Sequence, residues 1–227
     1  MAGIFYGIGV GPGDPELLTV KAINAIREVD VIIAPKTEKK DGSVALSIAR
    51  PYLKEDVEIV YQVFPMVVRF EESTEAWEAN KNEILSLLQA GKKVAFLTLG
   101  DPMFYSTYIY VYRLLEQEQV DIRTIPGIPA FCAVGSKLGY PIVEGNDVLS
   151  IIPATADAKK IKDVIAGSDN VVLMKVYKNC CRERQEGKLS VDNSGQKNLK
   201  NDFGGHKREV EVWTGLNFYI YCIRFYL

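Results

Sequence analysis

The stretch GIGVGPGDPELLT, residues 7–19, decides how this chain folds, and LTLGDPMFYSTY, residues 97–108, repeats its chemistry. In both, an apolar run of strand character ends in glycine and passes directly into Gly-Asp-Pro. Such a strand end presents bare backbone and one carboxylate at its carboxyl terminus, where open α/β sheets hold their ligands. Taken alone, Asp14 is equally well a helix cap and its glycines the makings of a tight turn. The recurrence at Gly100, Asp101 and Pro102 shifts the balance, so the two turns are expected to wall one small-molecule site.

Outward from these turns the pattern alternates strand and helix. IFYGIGV reads as a strand, and Asp14, Pro15 and Glu16 supply a side-chain cap, a preset φ and an acid facing the helix dipole, predicting a helix to about Val29. Leu18, Ala22, Ala25 and Val29 recur at helical spacing and should face the sheet. VIIAP, EIVYQVFPM and VAFLTLG read as further strands, SVALSIARPYL as a helix stopped near Pro51, and Trp77, Ile84, Leu87 and Leu88 as the buried stripe of a helix closed by Gly91. A helix over about Tyr105–Glu118, an extended DIRTIPG segment, a helix over Ala130–Leu138, the strand VLSIIPAT, the helix DAKKIKDVIAG and the strand VVLMKV follow. This is an α/β chain without an internal repeat. A polar EQEQVD passage before Pro-Gly-Ile-Pro marks the best boundary, dividing an α/β domain over 1–121 from a second over 122–227.

The 227 residues are 48% apolar, enough for one substantial core or two modest ones. A formal charge of −2 offers no basic footprint for a phosphate backbone, so no nucleic-acid partner is expected. The amino terminus lacks the basic start and apolar run of a secretory signal, and no stretch approaches the length of a membrane span, which predicts a cytoplasmic protein without a membrane partner. Cys132, Cys180, Cys181 and Cys222 show no CxxC spacing and His206 is the only histidine, so no metal site is expected and Cys180 and Cys181 read as free thiols. A dinucleotide reading of the first loop fails. Starting from Gly7, the third glycine of GxGxxG is replaced by Pro12, and starting from Gly9 by Asp14. A pyrophosphate cradle also needs backbone donors and tolerates acids badly, whereas this loop carries Pro12, Pro15, Asp14 and Glu16.

The segments GIGVGPGDPELLT, LTLGDPMFYSTYIYV, IPGIPAFCAVGSKLG, IIPATAD and VVLMKV, in this order and spacing, resemble the tetrapyrrole methylases, which use S-adenosylmethionine; the resemblance covers about residues 2–178. It implies two α/β domains with an inter-domain trough, a homodimer, and the methyl donor folded into the cleft below a tetrapyrrole substrate. Carried across by motif, the donor pocket includes Pro12, Gly100, Asp101, Met103, Phe104, Pro129, Ala130, Met174 and Lys175, although Phe104 and Met174 are as readily core residues. Within the family, YSTYIYV and PATAD point to the branch that methylates C-20 of precorrin-2 or cobalt-precorrin-2. The alternatives are a methylase acting at another carbon and a non-catalytic tetrapyrrole-binding module. Uroporphyrinogen methylation is disfavoured, because MFYST follows Asp101 where that branch carries an arginine-bearing loop.

The implied chemistry agrees with the lack of a triad or metal set. A methyl on a sulfonium is already activated and the meso carbon of a reduced tetrapyrrole is nucleophilic, so displacement needs alignment more than a reactive side chain. Backbone carbonyls and Asp101 are candidates to hold the donor, and Asp14 or a bound water to accept the departing proton. Tyr105 and Tyr108 either reach the trough or pack with one wet end. Arg27, Arg50, Arg69, Arg113 and Arg123 are candidates for the substrate's carboxylates by charge alone.

After about residue 178 the chain departs from the family pattern. Between Cys181 and Arg208 only Leu189, Val191, Leu199 and Phe203 are strongly apolar, at spacings that match neither a helix face nor strand alternation. This stretch is expected to pack poorly and leave the second domain incomplete, as a shifted reading frame would. NFYIYCIRFYL reads as a terminal strand.

Overall fold

Buried on both faces, Phe5, Tyr6, Ile8 and Val10 make the first strand a central one, as a continuous apolar run in a parallel sheet should be. The computed structural model describes residues 3–36, 42–64, 74–175, 196–203, 206–215 and 218–225. In the first unit, β1 (Ile4–Gly9), α1 (Val20–Glu28), β2 (Val31–Lys36), α2 (Val44–Ala49), β3 (Glu58–Val63), α3 (Thr74–Gln89), β4 (Lys93–Thr98), α4 (Tyr108–Leu115) and β5 (Asp121–Ile125) follow one another. The strands form a parallel sheet in the order β3-β2-β4-β1-β5. Alternate residues serve opposite faces. Tyr6, Ile8, Ile32, Ala34, Ala95 and Leu97 pack under α1 and α2. Phe5, Val31, Ile33, Val94 and Phe96 pack under α3 and α4. From the adjacent strands β1 and β4 the chain leaves in opposite directions across the sheet, to β2 and to β5. Their carboxyl ends therefore meet at a topological switch point, the place where such sheets bind ligands.

The helices start later than their sequence signals suggest. Asp14 caps a 3₁₀ turn, Pro15–Leu17, and Leu18 is extended; α1 begins only after Thr19, whose hydroxyl accepts the Ala22 N–H at 3.2 Å. The reason is local, since Asp-Pro closes a tight turn more readily than it launches a long helix, and Thr19 offers a second cap five residues on. The predicted inward face holds: Leu18, Ala22, Ala25 and Val29 are all buried. Likewise α4 starts at Tyr108, not Tyr105, because Tyr105 sits in the left-handed region with φ 49°. Gly91 ends α3 as expected, with φ 79° and its N–H donating to Leu88 O.

The chain divides between Pro129 and Ala130, since β5 pairs with β1 and belongs to the first sheet. The second unit comprises α5 (Ala130–Leu138), β6 (Leu149–Pro153), α6 (Ala158–Ala166), β7 (Asn170–Met174), β8 (Gln196–Phe203), β9 (His206–Gly215) and β10 (Phe218–Phe225). Its sheet runs β6-β7-β10-β9-β8, with β6 and β7 parallel and the other pairs antiparallel. The terminal strand expected from NFYIYCIRFYL is β10. Residues 196–203, whose apolar spacing matches no strand alternation, nonetheless ladder onto β9 as β8. Antiparallel pairing is made by main-chain groups and does not require apolar alternation on either strand. Arg69, Cys180, Cys181, Leu189 and Val191 lie outside the described residues.

Candidate functional site

The two Gly-Asp-Pro turns are built alike. In the first, Leu17 N donates to Asp14 O at 3.0 Å and Glu16 N to Asp14 Oδ1 at 2.9 Å. In the second, Phe104 N donates to Asp101 O at 3.3 Å and Met103 N to Asp101 Oδ1 at 2.8 Å. Aspartate at the first position accepts from the backbone two residues on, and proline at the second presets φ, so sequence alone dictates both.

The structure brings the loops that carry these turns together. Val10 N continues the β1–β4 ladder by donating to Thr98 O at 2.9 Å, and beyond it Gly11 and Gly100 exchange hydrogen bonds at 3.3 and 2.8 Å. A third wall comes from the loop after β5. A Cβ placed on Gly127 would lie 2.1 Å from Gly100 O, and one on Gly9 would lie 2.6 Å from both Gly100 O and Gly127 N. Three backbones thus converge at the carboxyl ends of β1, β4 and β5 with no side chain between them. Asp101 fastens the arrangement, because its Oδ2 accepts the Gly127 N–H at 3.1 Å.

Sequence reasoning singled out neither Gly9 nor Gly127 for the site. The available signal was a glycine at or just past the carboxyl end of each of the strands β1, β4 and β5. Pro-Gly-Ile-Pro was read there only as a turn near a boundary.

The segment after Asp101 is held from below. Thr98 Oγ1 and Ser106 Oγ share a buried hydrogen bond of 2.7 Å, and Ser106 Oγ also accepts the Tyr108 N–H at 3.0 Å. Tyr108 is fully buried: its ring lies in the core against Phe5 and Phe96, and its hydroxyl bonds Thr124 Oγ1 at 2.7 Å. Burial pushes its pKa up, so the phenol stays protonated. Of the two tyrosines considered for the site, Tyr108 is therefore a packing residue. Tyr105 is 41% exposed and Met103 48% exposed, while Phe104 is half-buried with its ring edge-on to Tyr105. The left-handed backbone of a bulky residue such as Tyr105 is uncommon and collects at functional sites.

Of the predicted donor residues, Pro12, Gly100, Asp101, Met103, Phe104 and Pro129 belong to the first unit, where Pro12 is buried beside Gly11. Ala130, Met174 and Lys175 belong to the second unit. There Ala130 opens α5, Met174 ends β7 with its carbonyl accepting the Ala154 N–H at 2.7 Å, and Lys175 follows with φ 59°. Asp14 is exposed. Arg27, Arg50 and Arg113 are exposed on the helical layers, whereas Arg123 is clamped by Asp121 through bonds of 3.3 and 2.7 Å and lies over the Tyr6 ring. Two open grooves, of about 520 and 420 Å³, run along α6 and behind α5 in the second unit, and no predicted donor residue lines either. Among the described residues there is no group of side chains that could hold a metal ion.

Residues 5–191 match the family model of the Tetrapyrrole (Corrin/Porphyrin) Methylases. The chain is 34% identical over 177 residues to the cobalt-precorrin-2 C(20)-methyltransferase of Salmonella typhimurium, covering 78% of this chain and 74% of that one. It is 33% identical over 192 residues to the precorrin-2 C(20)-methyltransferase of a Sinorhizobium species, covering 81% and 77%. In fold it is similar to the uroporphyrin-III C-methyl transferase of Thermus thermophilus complexed with S-adenosyl homocysteine, with a TM-score of 0.63 at 17% identity and coverage of 98% and 97%.

Proposed function

We propose, because this chain belongs to the tetrapyrrole methylase family, that it transfers a methyl group from S-adenosylmethionine to C-20 of precorrin-2 or cobalt-precorrin-2, a step of cobalamin biosynthesis. One structural observation carries the reading: the side-chain-free convergence of Gly9, Gly100 and Gly127 at the switch point of the parallel sheet. There Gly9 and Gly127 leave no room for a Cβ because the three loop backbones pack directly on one another, and a nucleoside-bearing ligand at this strand end would meet backbone amides and carbonyls instead of side chains.

The donor supplies a methyl that needs no further activation. What falls to the protein is alignment, and the rigid pieces for it are in place: loops tied by the Gly11–Gly100 pair, by Asp101 and by the Thr98–Ser106 hydroxyls. The donor-binding set we assign is Pro12, Gly100, Asp101, Met103, Phe104, Pro129, Ala130, Met174 and Lys175, with the exposed Met103 and Tyr105 offered to the acceptor ring. Asp14 is the candidate proton acceptor, supported by its exposed carboxylate on the loop bonded to Gly100.

A homodimer and a cytoplasmic location complete the proposal. The family likeness supports the first. For the second, no helix among the described residues is long and apolar enough to cross a membrane.

Incubating the purified protein with methyl-labelled donor and precorrin-2, with and without cobalt, and locating the label by carbon NMR tests the assignment. Label at C-20 is the expected result. Label at any other carbon overturns the position, and tetrapyrrole binding without affinity for S-adenosylhomocysteine would indicate a carrier.

A further inference from the structure

We infer that Asp101 is a positioning residue, which serves methyl transfer by holding the backbone of Gly127 and does not itself touch the donor. The inference rests on the donor-binding reading above and changes the part Asp101 plays in it. Both carboxylate oxygens are already engaged by main-chain donors, Met103 N at 2.8 Å and Gly127 N at 3.1 Å. The comparison with Asp14 separates the two bonds. Asp14 builds the same turn with the first bond only, so the second is not needed to make a Gly-Asp-Pro turn.

What the second bond does is join the loop after β4 to the loop after β5, across 26 residues of sequence. It does so at a glycine packed directly against two neighbouring backbones, 2.1 Å separating a would-be Cβ from Gly100 O and 2.9 Å from Gly9 Cα. A carboxylate accepting an amide N–H forms a charge-assisted bond, stronger than one between neutral groups. Asp101 thereby sets the spacing of the three bare backbones on which the donor is read to lie.

Asp101→Asn gives the test. Asparagine keeps the turn through its oxygen and the Met103 N–H, but points its amide nitrogen at the Gly127 N–H, replacing an attraction by a donor–donor clash. Calorimetric titration of the full chain with S-adenosylmethionine and with S-adenosylhomocysteine reads the outcome. A positioning role weakens both ligands by the same factor, roughly ten- to a hundredfold for the loss of a charged hydrogen bond. A carboxylate in direct contact with the donor would weaken the sulfonium, which is cationic, far more than the neutral thioether, and that result overturns the proposal. So does unchanged affinity for both, which would leave Asp101 a purely structural residue.

Should D101N fail to fold, wild-type NMR decides. A scalar coupling through the hydrogen bond, between the Gly127 amide nitrogen and the Asp101 carboxyl carbon, is expected in both free and thioether-bound protein, and its loss on ligand addition would show that the carboxylate had turned to the ligand. A wild type that binds neither ligand overturns the donor reading along with this one, whereas failure of the positioning role alone leaves wild-type binding intact.

Discussion

Replacing Gly127 by alanine is the sharpest perturbation of the cradle. Gly127 is not among the glycines with positive φ, so alanine is allowed by its backbone and the effect is purely steric. The new Cβ would sit 2.1 Å from Gly100 O and 2.9 Å from Gly9 Cα, both of them backbone atoms with no rotamer to change. Restoring ordinary contact requires the loops to part by roughly 1 Å, in an interior packed as tightly as an organic crystal. The carbonyl that must retreat accepts Gly11 N–H, and the amide that moves is the one Asp101 holds.

Overpacking costs about 1–3 kcal/mol and a strained or lost charged hydrogen bond about 1–3 more. A loss of about 2–6 kcal/mol is therefore expected, a large fraction of the 5–15 typical of a domain. The control is Gly42→Ala, in the same unit, where φ is 89° and nothing lies within 4 Å. It carries only the strain of a left-handed alanine, about 1–2 kcal/mol. Urea unfolding and calorimetric titration with S-adenosylhomocysteine should show G127A losing more stability than G42A and at least tenfold in affinity, while G42A binds like wild type. Equal unfolding midpoints for the two variants, with unchanged affinity in G127A, would refute the reasoning.

A Cβ on Gly7 would lie 2.1 Å from Tyr108 Cζ, so Gly7→Ala and Tyr108→Leu should each destabilise, while the double variant loses at least about 1 kcal/mol less than their sum; strict additivity in a urea-unfolding cycle would show that the ring is not what requires glycine there. The Lys93 N–H at 2.8 Å holds the Asp30 carboxyl below its usual pKa, with burial opposing and Lys54 assisting. Since the folded value lies below the unfolded one, this stabilisation is complete above about pH 4 and is lost as pH falls through the lowered folded value. Asp30→Asn should accordingly flatten the acid limb of unfolding midpoints measured between about pH 2 and pH 5, and parallel limbs for the two proteins would exclude Asp30 from it.

Local chemistry made most of the first sheet legible. The inward face of α1, the Gly91 cap and the span of α5 follow from apolar spacing and end signals that act within a few residues. Where two local signals competed, the sequence could not rank them: Asp14 and Thr19 both cap, and only the extended backbone of Leu18 between them shows that the turn and the helix are separate. The delay of α4 was hidden for a different reason. Nothing local marks a tyrosine as left-handed, and the conformation of Tyr105 is sustained by what surrounds it, including the Thr98–Ser106 bond at the base of its loop. The link from Asp101 to Gly127 is likewise tertiary, as is the pairing that makes a strand of residues 196–203.

The non-equivalence of the two Gly-Asp-Pro turns has a chemical rationale in the reaction itself. During methyl transfer the positive charge on sulfur disappears, so a carboxylate fixed against the sulfonium would stabilise the bound ground state more than the transition state and raise the barrier. Neutral backbone groups carry no such penalty. Of the two aspartates, the one at the convergence of bare backbones is Asp101, and its oxygens are bonded to Met103 N–H and Gly127 N–H. Asp14, whose carboxylate bonds only Glu16 N–H among the described residues, remains exposed on a loop where, under the function proposed above, a negative charge would have a different use, as a base for the proton that methylation displaces. On that reading one local motif would serve twice, and the structural difference between its copies is whether a distant amide is within reach of the second carboxylate oxygen.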